Sequence, residues 1–234
     1  MPAVRRTIGP LELPVLTGPL SASPPVSSSL PVSTPPPACT SPPARTRVTL
    51  RPFGPADVVL VQSAAQDPLI PLITSVPSTP GRAEALAYIE RQHRRAQTGE
   101  GWSFAIADAE TGIGVGQIGL WPGQSLRRTG NPDTIGYWIG PDHRKRGYAA
   151  AALALLTEWA VTVQQMRRIE LYIEPWNEGS WRAAENAGYT RETLLPAWQK
   201  VGTQWRDMYR YVRTADPTLQ PPGDGPRKSG PKIG

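Results

Sequence analysis

The stretch His143-Arg144-Lys145-Arg146-Gly147-Tyr148-Ala149-Ala150 stands between an apolar, strand-like run at 134–140 and an alanine- and leucine-rich run at 149–163 that suits a helix. No other feature constrains the fold as much. A helix entered through a basic-glycine turn needs a strand behind it, and its first backbone N–H groups lack partners within the helix. The helix dipole favours negative charge at that end, and glycine lets an anion approach the main chain. The same eight residues also suit a plain solvated loop, so the flanking sequence has to decide.

Of the 234 residues, 39% are hydrophobic, which suits one domain with a real core plus extra segments. The extra segments lie at the ends. Residues 1–45 carry Ser23-Pro24-Pro25, Pro35-Pro36-Pro37 and Ser41-Pro42-Pro43. Proline fixes φ and removes a donor, so a disordered tail that makes neither helix nor ladder is expected there. Residues 215–234 are Pro, Gly, Lys and Arg without periodicity, a second, basic tail, leaving 46–214 as the folded domain.

Within that domain the patterning predicts a strand at 47–51, a helix at 56–62 and a proline-marked loop at 68–80. A second, amphipathic helix is expected at 82–97, with His93 and its neighbouring arginines on a solvated face. Three strands at 102–107, 114–121 and 134–140 follow as an antiparallel meander. After the basic-glycine turn and its helix, 167–174 alternates as a strand parallel to the one before the turn. A short helix at 181–186, closed by Gly188, precedes a closing pair of strands at 189–193 and 205–213.

The formal charge of +6 favours an anionic partner: a phosphorylated cofactor, RNA or an acidic surface. The single cysteine, Cys39, lies in the proline-rich segment, and His93 and His143 have no ligand-spaced neighbours, so neither a disulfide framework nor a metal site is expected. Pro10, Pro14 and Pro19 interrupt the apolar stretch after Arg5-Arg6, which suits neither a signal peptide nor a membrane span, and a cytoplasmic protein is expected.

Arg144-Lys145-Arg146-Gly147-Tyr148-Ala149 has the form Q/R-x-x-G-x-G/A, with a strand at 135–139 before it, a helix after it, and Asn177-xx-Ser180-xxxx-Glu185-xx-Gly188-Tyr189 downstream. Together these residues resemble the GNAT N-acetyltransferase family, whose members use acetyl-CoA. The ending that carries Gly202, Asp207 and Tyr211 is most similar to the branch that acetylates the N-terminal amine of ribosomal proteins. The resemblance implies an α/β (α+β) fold with a central mixed, twisted sheet of about six to seven strands flanked by helices. It also implies that main-chain groups of Arg144, Lys145, Arg146, Gly147, Tyr148 and Ala149 hold the pyrophosphate of acetyl-CoA. Ile139 and Gly140 would pair with the pantetheine arm, Asn177 would hydrogen-bond the cofactor, and Ser180 would protonate the departing thiolate.

Both Asn177 and Ser180 also suit helix capping, with Ser180 where an N-cap belongs and Asn177 its rival. Three carboxylates stay open as the general base. Asp142 is nearest the position the family uses, while Glu174 and Glu170 share one face of the next strand, where either also suits pairing with Arg167 or Arg168. Ordered water is a further carrier. Tyr137, Trp138 and Trp176 suit core or cleft wall. The expected activity is transfer of an acetyl group from acetyl-CoA to a primary amine, of a protein N-terminus or a small molecule, directly within a ternary complex. No metal is expected, and the protein would act as a monomer or homodimer. The alternative is a non-catalytic GNAT-fold module that binds CoA or RNA. Contact with a membrane is not expected, nor with nucleic acid beyond weak contacts of the basic tail. The acceptor would be met by the loops at 68–81, 122–132 and 194–203.

Overall fold

A computed structural model of the chain describes residues 15–17, 46–79, 81–123 and 131–215. The two tails expected to be disordered lie almost wholly outside these residues. The exception is a correction: Leu16–Thr17 (β1), inside the segment expected to form no ladder, pairs antiparallel with Leu50 and Thr49 of β2 (Val48–Arg51). Proline spacing leaves room for this, since Leu16 lies between Pro14 and Pro19 with its own N–H intact.

Helix α1 (Val58–Ala65) starts one turn later than Pro55 suggests, because residues 55–57 wind as a 3-10 turn. The expected loop after it contains a one-turn helix, α2 (Ile70–Ile73), whose entry is fixed by Asp67: its Oδ1 accepts from the N–H groups of Leu69 (2.9 Å) and Ile70 (3.0 Å). α3 (Arg82–Gln97) runs as its periodicity predicts.

β3 (Trp102–Asp108), β4 (Gly114–Trp121) and β5 (Asp133–Ile139) form the antiparallel meander. α4 (Tyr148–Thr162) carries the chain across to β6 (Arg168–Ile173), which is parallel to β5. α5 (Glu178–Asn186) then leads to β7 (Thr190–Val201) and β8 (Gln204–Thr214). The sheet has eight strands in the order β1-β2-β3-β4-β5-β6-β8-β7, so the expected six to seven become eight with the short β1.

Strand alternation assigns the two faces of the sheet. On one, Phe104, Ile106, Ile118, Leu120 and Ile135 pack against Leu153, Leu156 and Trp159 of α4. Alanines at 151, 152 and 160 let this helix lie close on the sheet without costing helix propensity. On the other face Phe53, Ala105 and Trp138 pack against Val61 and Ala64 of α1 and Tyr88 and Ile89 of α3. Each large side chain so buried contributes about 1.5–3 kcal/mol. Among the described residues no helix is long and apolar enough to cross a membrane.

The edge of this second face is tied by a buried ion pair. Asp57, 2% exposed, receives Arg51 through two nitrogens, at 2.7 and 2.9 Å, and the N–H of Gly54 at 2.7 Å. The hydrogen bond to Asp57 raises the Arg51 pKa, against the burial that lowers it. Asp57→Ala leaves the Arg51 guanidinium without its counterion and Gly54 N–H without its acceptor, and the unfolding free energy measured in urea falls by about 2–3 kcal/mol.

Candidate active site

The basic-glycine turn is built by backbone of alternating hand. Arg144 is extended at φ −66° and ψ 162°, Lys145 is left-handed at φ 63°, and Gly147, the N-cap of α4, is left-handed at φ 80°. For Lys145 this conformation costs about 1–2 kcal/mol. Such alternation turns successive N–H groups toward a common concavity, the geometry of an anion nest. The first main-chain bond of the helix runs from Ala151 N–H to Gly147 O at 3.1 Å, so the N–H groups of Tyr148, Ala149 and Ala150 have no acceptor within the helix.

Three anchors hold the turn in place. The Thr46 hydroxyl donates to Arg146 O at 2.5 Å, Arg144 reaches Asp67 at 2.6 Å and Ile139 O at 3.2 Å, and the Tyr148 hydroxyl donates to Asp108 at 2.8 Å. Burial would push the Asp67 carboxyl up, but the N–H groups of Leu69 and Ile70 and the Arg144 guanidinium outweigh it, and its pKa lies below the ordinary value. The side chains of Arg144 and Tyr148 are therefore anchors, and what they offer an anion is main chain. Lys145 and Arg146 are exposed. A Cβ on Gly147 would lie 3.1 Å from Thr46 Oγ1, in a conformation that side chains other than glycine's rarely adopt.

Beside the turn the sheet opens. β5 and β6 are in register only at Asp133–Ile169 and Thr134–Glu170 and part beyond. Gly140 N–H donates to Val115 O at 2.9 Å, so Gly140 is committed to the β4 side. By alternation, the polar groups of Ile139 face the gap. Of the two residues expected to meet a pantetheine arm, Ile139 is placed to do so and the Gly140 N–H is not.

The gap leads into a cavity of about 440 Å³ lined from both faces of the sheet, including Arg95 of α3, Gln117 and Trp121 of β4, Tyr137 of β5, Glu174 and Asn177 between β6 and α5, and Ser180 in the first turn of α5. Asn177, not Ser180, is the N-cap of α5: its Oδ1 accepts from Ser180 N–H at 3.2 Å, because the helix begins three residues earlier than its apolar pattern suggests. Freed from capping, the Ser180 hydroxyl lies 2.8 Å from the Tyr137 hydroxyl, which also donates to Ser180 O at 2.9 Å. Burial pushes Tyr137 up to about 12, against the lowering by Ser180.

The three carboxylates fall in three environments. Glu174 is buried, lines the cavity and accepts from Trp176 Nε1. Glu170 is engaged by Arg168 at 2.9 Å and Tyr172 at 2.5 Å, as a pairing partner, and does not line the cavity. Asp142 is exposed in the 3-10 turn 141–143 and does not line it either. Tyr137 and Arg95 are among the lining residues that the sequence does not single out as functional. Tyr137 reads as core or wall because its strand is apolar, and Arg95 reads as solvated because its neighbours on α3 are charged. Of Arg91, Arg94 and Arg95, only Arg94 is exposed, and the other two are half-buried. His93 donates through Nε2 to Phe53 O, 2.8 Å away.

The family model for the acetyltransferase (GNAT) domain matches residues 47–190. A probable N-acetyltransferase of Bacillus subtilis (strain 168), YjcK, is 28% identical over 119 residues, 51% of this chain and 65% of that protein, so the match spans just under two thirds of this relative. The uncharacterized N-acetyltransferase p20 of Bacillus licheniformis is 24% identical over 165 residues, 70% of this chain and 91% of that protein. Among solved structures, Mycobacterium smegmatis RimJ in complex with CoA-disulfide shares the fold with a TM-score of 0.62 at 24% identity, over 75% of this chain and 86% of that one.

Gly147→Asp places a carboxylate and a strained backbone in the nest. Its affinity for CoA by isothermal titration falls at least about ten-fold, while its far-UV circular dichroism stays that of the wild type. Asp108, held at about 2 first by Thr111 N–H and then by Tyr148, has a folded pKa below its ordinary value. Its contribution to stability is present above about pH 4 and lost as pH falls toward 2. The melting temperature drops through that window, and Asp108→Asn makes the drop shallower.

Proposed function

Because the chain belongs to the GNAT acetyltransferase family, we propose that it moves an acetyl group from acetyl-CoA to a primary amine, directly, within a ternary complex. The observation that carries this reading is the parting of β5 and β6 beside the anion nest, with Ser180, Tyr137 and Glu174 on the cavity it opens. Acetyl-CoA supplies a thioester carbonyl and a thiolate leaving group. Main chain at 144–149 is the pyrophosphate subsite, Ile139 meets the arm, and Asn177 offers its amide nitrogen to the cavity, its oxygen being used on Ser180 N–H.

Glu174 takes a proton from the incoming ammonium, and the nitrogen attacks the carbonyl carbon. A C–N bond forms, the C–S bond breaks, and the electron pair leaves on sulfur. Ser180 gives that sulfur its hydroxyl proton, and the second proton that the nitrogen sheds as the amide forms restores the Ser180 hydroxyl. The Tyr137 hydroxyl has one proton and two acceptors within 2.9 Å, the carbonyl and the Oγ of Ser180. When it donates to Oγ, the proton of Ser180 is turned toward the cavity. A phenol whose pKa is raised to about 12 stays protonated for this work at neutral pH. Glu174 rather than Asp142 or Glu170 is our choice of base, because it alone of the three lines the cavity. A protein N-terminus or a small-molecule amine is the acceptor class, and a cytoplasmic location belongs to the same reading.

Thiol release from acetyl-CoA, followed over a panel of peptide N-termini, amino acids and polyamines, tests the proposal. Turnover is expected with at least one amine, and Ser180→Ala lowers kcat by about 10²–10⁴-fold with the KM for acetyl-CoA little changed. Tyr137→Phe lowers kcat by about ten-fold. Full activity in Ser180→Ala refutes its role as the acid, and CoA binding without turnover on any amine returns the non-catalytic alternative.

A further inference from the structure

Among the described residues that line the cavity, Glu174 is the one anion and Arg95 the one cation. They come from separate elements, Glu174 just past the end of β6 and Arg95 in the last turn of α3.

Arg95 is held there by a built environment. Gln92, 1% exposed, donates its amide N–H to Tyr88 O at 3.1 Å, which turns its Oε1 to accept from Arg95 Nε at 3.1 Å. The guanidinium carbon lies 5.9 Å from the centre of the Trp121 ring. That ring can lie across the sheet only because β4 and β5 have glycines beneath it. A Cβ on Gly119 would come within 2.6 Å of Trp121 Cη2, and one on Gly136 within 3.2 Å of Cζ3. The side chain of Arg95 is 19% exposed, and its ion pair with the half-exposed Glu100 is long, at 3.6 Å. A guanidinium carries five N–H donors in a planar fork, of which one is used on Gln92.

We propose that Arg95 is a carboxylate subsite for the acceptor, so that the amine acetylated is an aminocarboxylate, a small molecule whose ammonium lies toward Glu174 and whose carboxylate lies on Arg95. This rests on the acetyltransferase reading above and adds the substrate class to it. A fork that is oriented by Gln92, stacked beside Trp121 and partly desolvated suits a bidentate carboxylate. The same charge disfavours a polyamine, whose second ammonium would be brought toward a cation in a partly dry cavity.

The test uses the full chain with acetyl-CoA and a series of linear ω-aminocarboxylates together with α-amino acids, each paired with its carboxamide and with a diamine of equal length. For at least one chain length, kcat/KM for the carboxylate exceeds that of its amide and its diamine by about ten-fold or more. Arg95→Gln raises the KM for that carboxylate about 10–100-fold, the scale of hydrogen bonds to a charged group, and leaves its kcat within a few-fold. The Kd for acetyl-CoA, measured directly, stays within two-fold of wild type, which also shows that the variant is folded. Equal use of carboxylate and amide, preference for a diamine, or preference for an N-terminal peptide over every aminocarboxylate overturns the proposal. So does a loss in Arg95→Gln that is the same for carboxylate and amide. If acetyl-CoA binds but no member of the series is turned over, the carboxylate subsite is wrong while the cofactor site stands. If acetyl-CoA does not bind, the acetyltransferase reading itself fails.

Discussion

The whole site depends on two neighbouring strands being claimed from outside. β6 pairs with β8 along its full length, Arg168–Thr214 to Ile173–Tyr209. β5 pairs with β4 from Thr134 to Ile139, and the bond from Gly140 N–H to Val115 O extends that hold past its end. Each strand is thus kept with its outer partner, and between them only two residue pairs are in register before sheet twist carries them apart. Unpaired strand edges in the interior of a sheet are normally avoided, since each orphaned polar group costs free energy. Here the edge opens on a cavity where side chains from both faces of the sheet meet.

The second constraint is the turn that follows β5. Because Arg144 is drawn to Asp67 and Tyr148 to Asp108, the turn is fastened to the segment before α2 on one side and to the β3–β4 hairpin on the other. Its positive-φ residues, Lys145 and Gly147, are then held in a conformation that aims main-chain N–H groups outward. The basic side chains that dominate the sequence there contribute anchorage and long-range charge, while the oriented contacts come from backbone.

Much of this was legible in the sequence, and the limits have physical causes. The turn signals around them gave β3 and β4 nearly to the residue, and the helical repeat gave α3 without error, because local sequence determines both. Asn177 displaced Ser180 as the cap because a cap is chosen by where the first turn closes, three residues before the apolar stripe of α5 begins. Tyr137 and Arg95 were illegible as site residues for a shared reason. The gap in the sheet is a long-range consequence of which strand pairs with which, and only the gap converts a core tyrosine and an apparently solvated arginine into cavity wall. The choice among Asp142, Glu170 and Glu174 needed the same information. β1 arises from a partner edge supplied by β2, some thirty residues further along the chain, rather than from its own two residues.

The central claim is that the nest at 144–149 and the parted edge of β5 form one binding surface for acetyl-CoA. Backbone hydrogen exchange with and without CoA tests it most directly, since it reports amides one by one. The account predicts slowed exchange at Ile139 and at residues 145–150, with little change at Gly140, whose N–H is already bonded to Val115. Protection absent from both segments, or protection of the turn with none at Ile139, would contradict it.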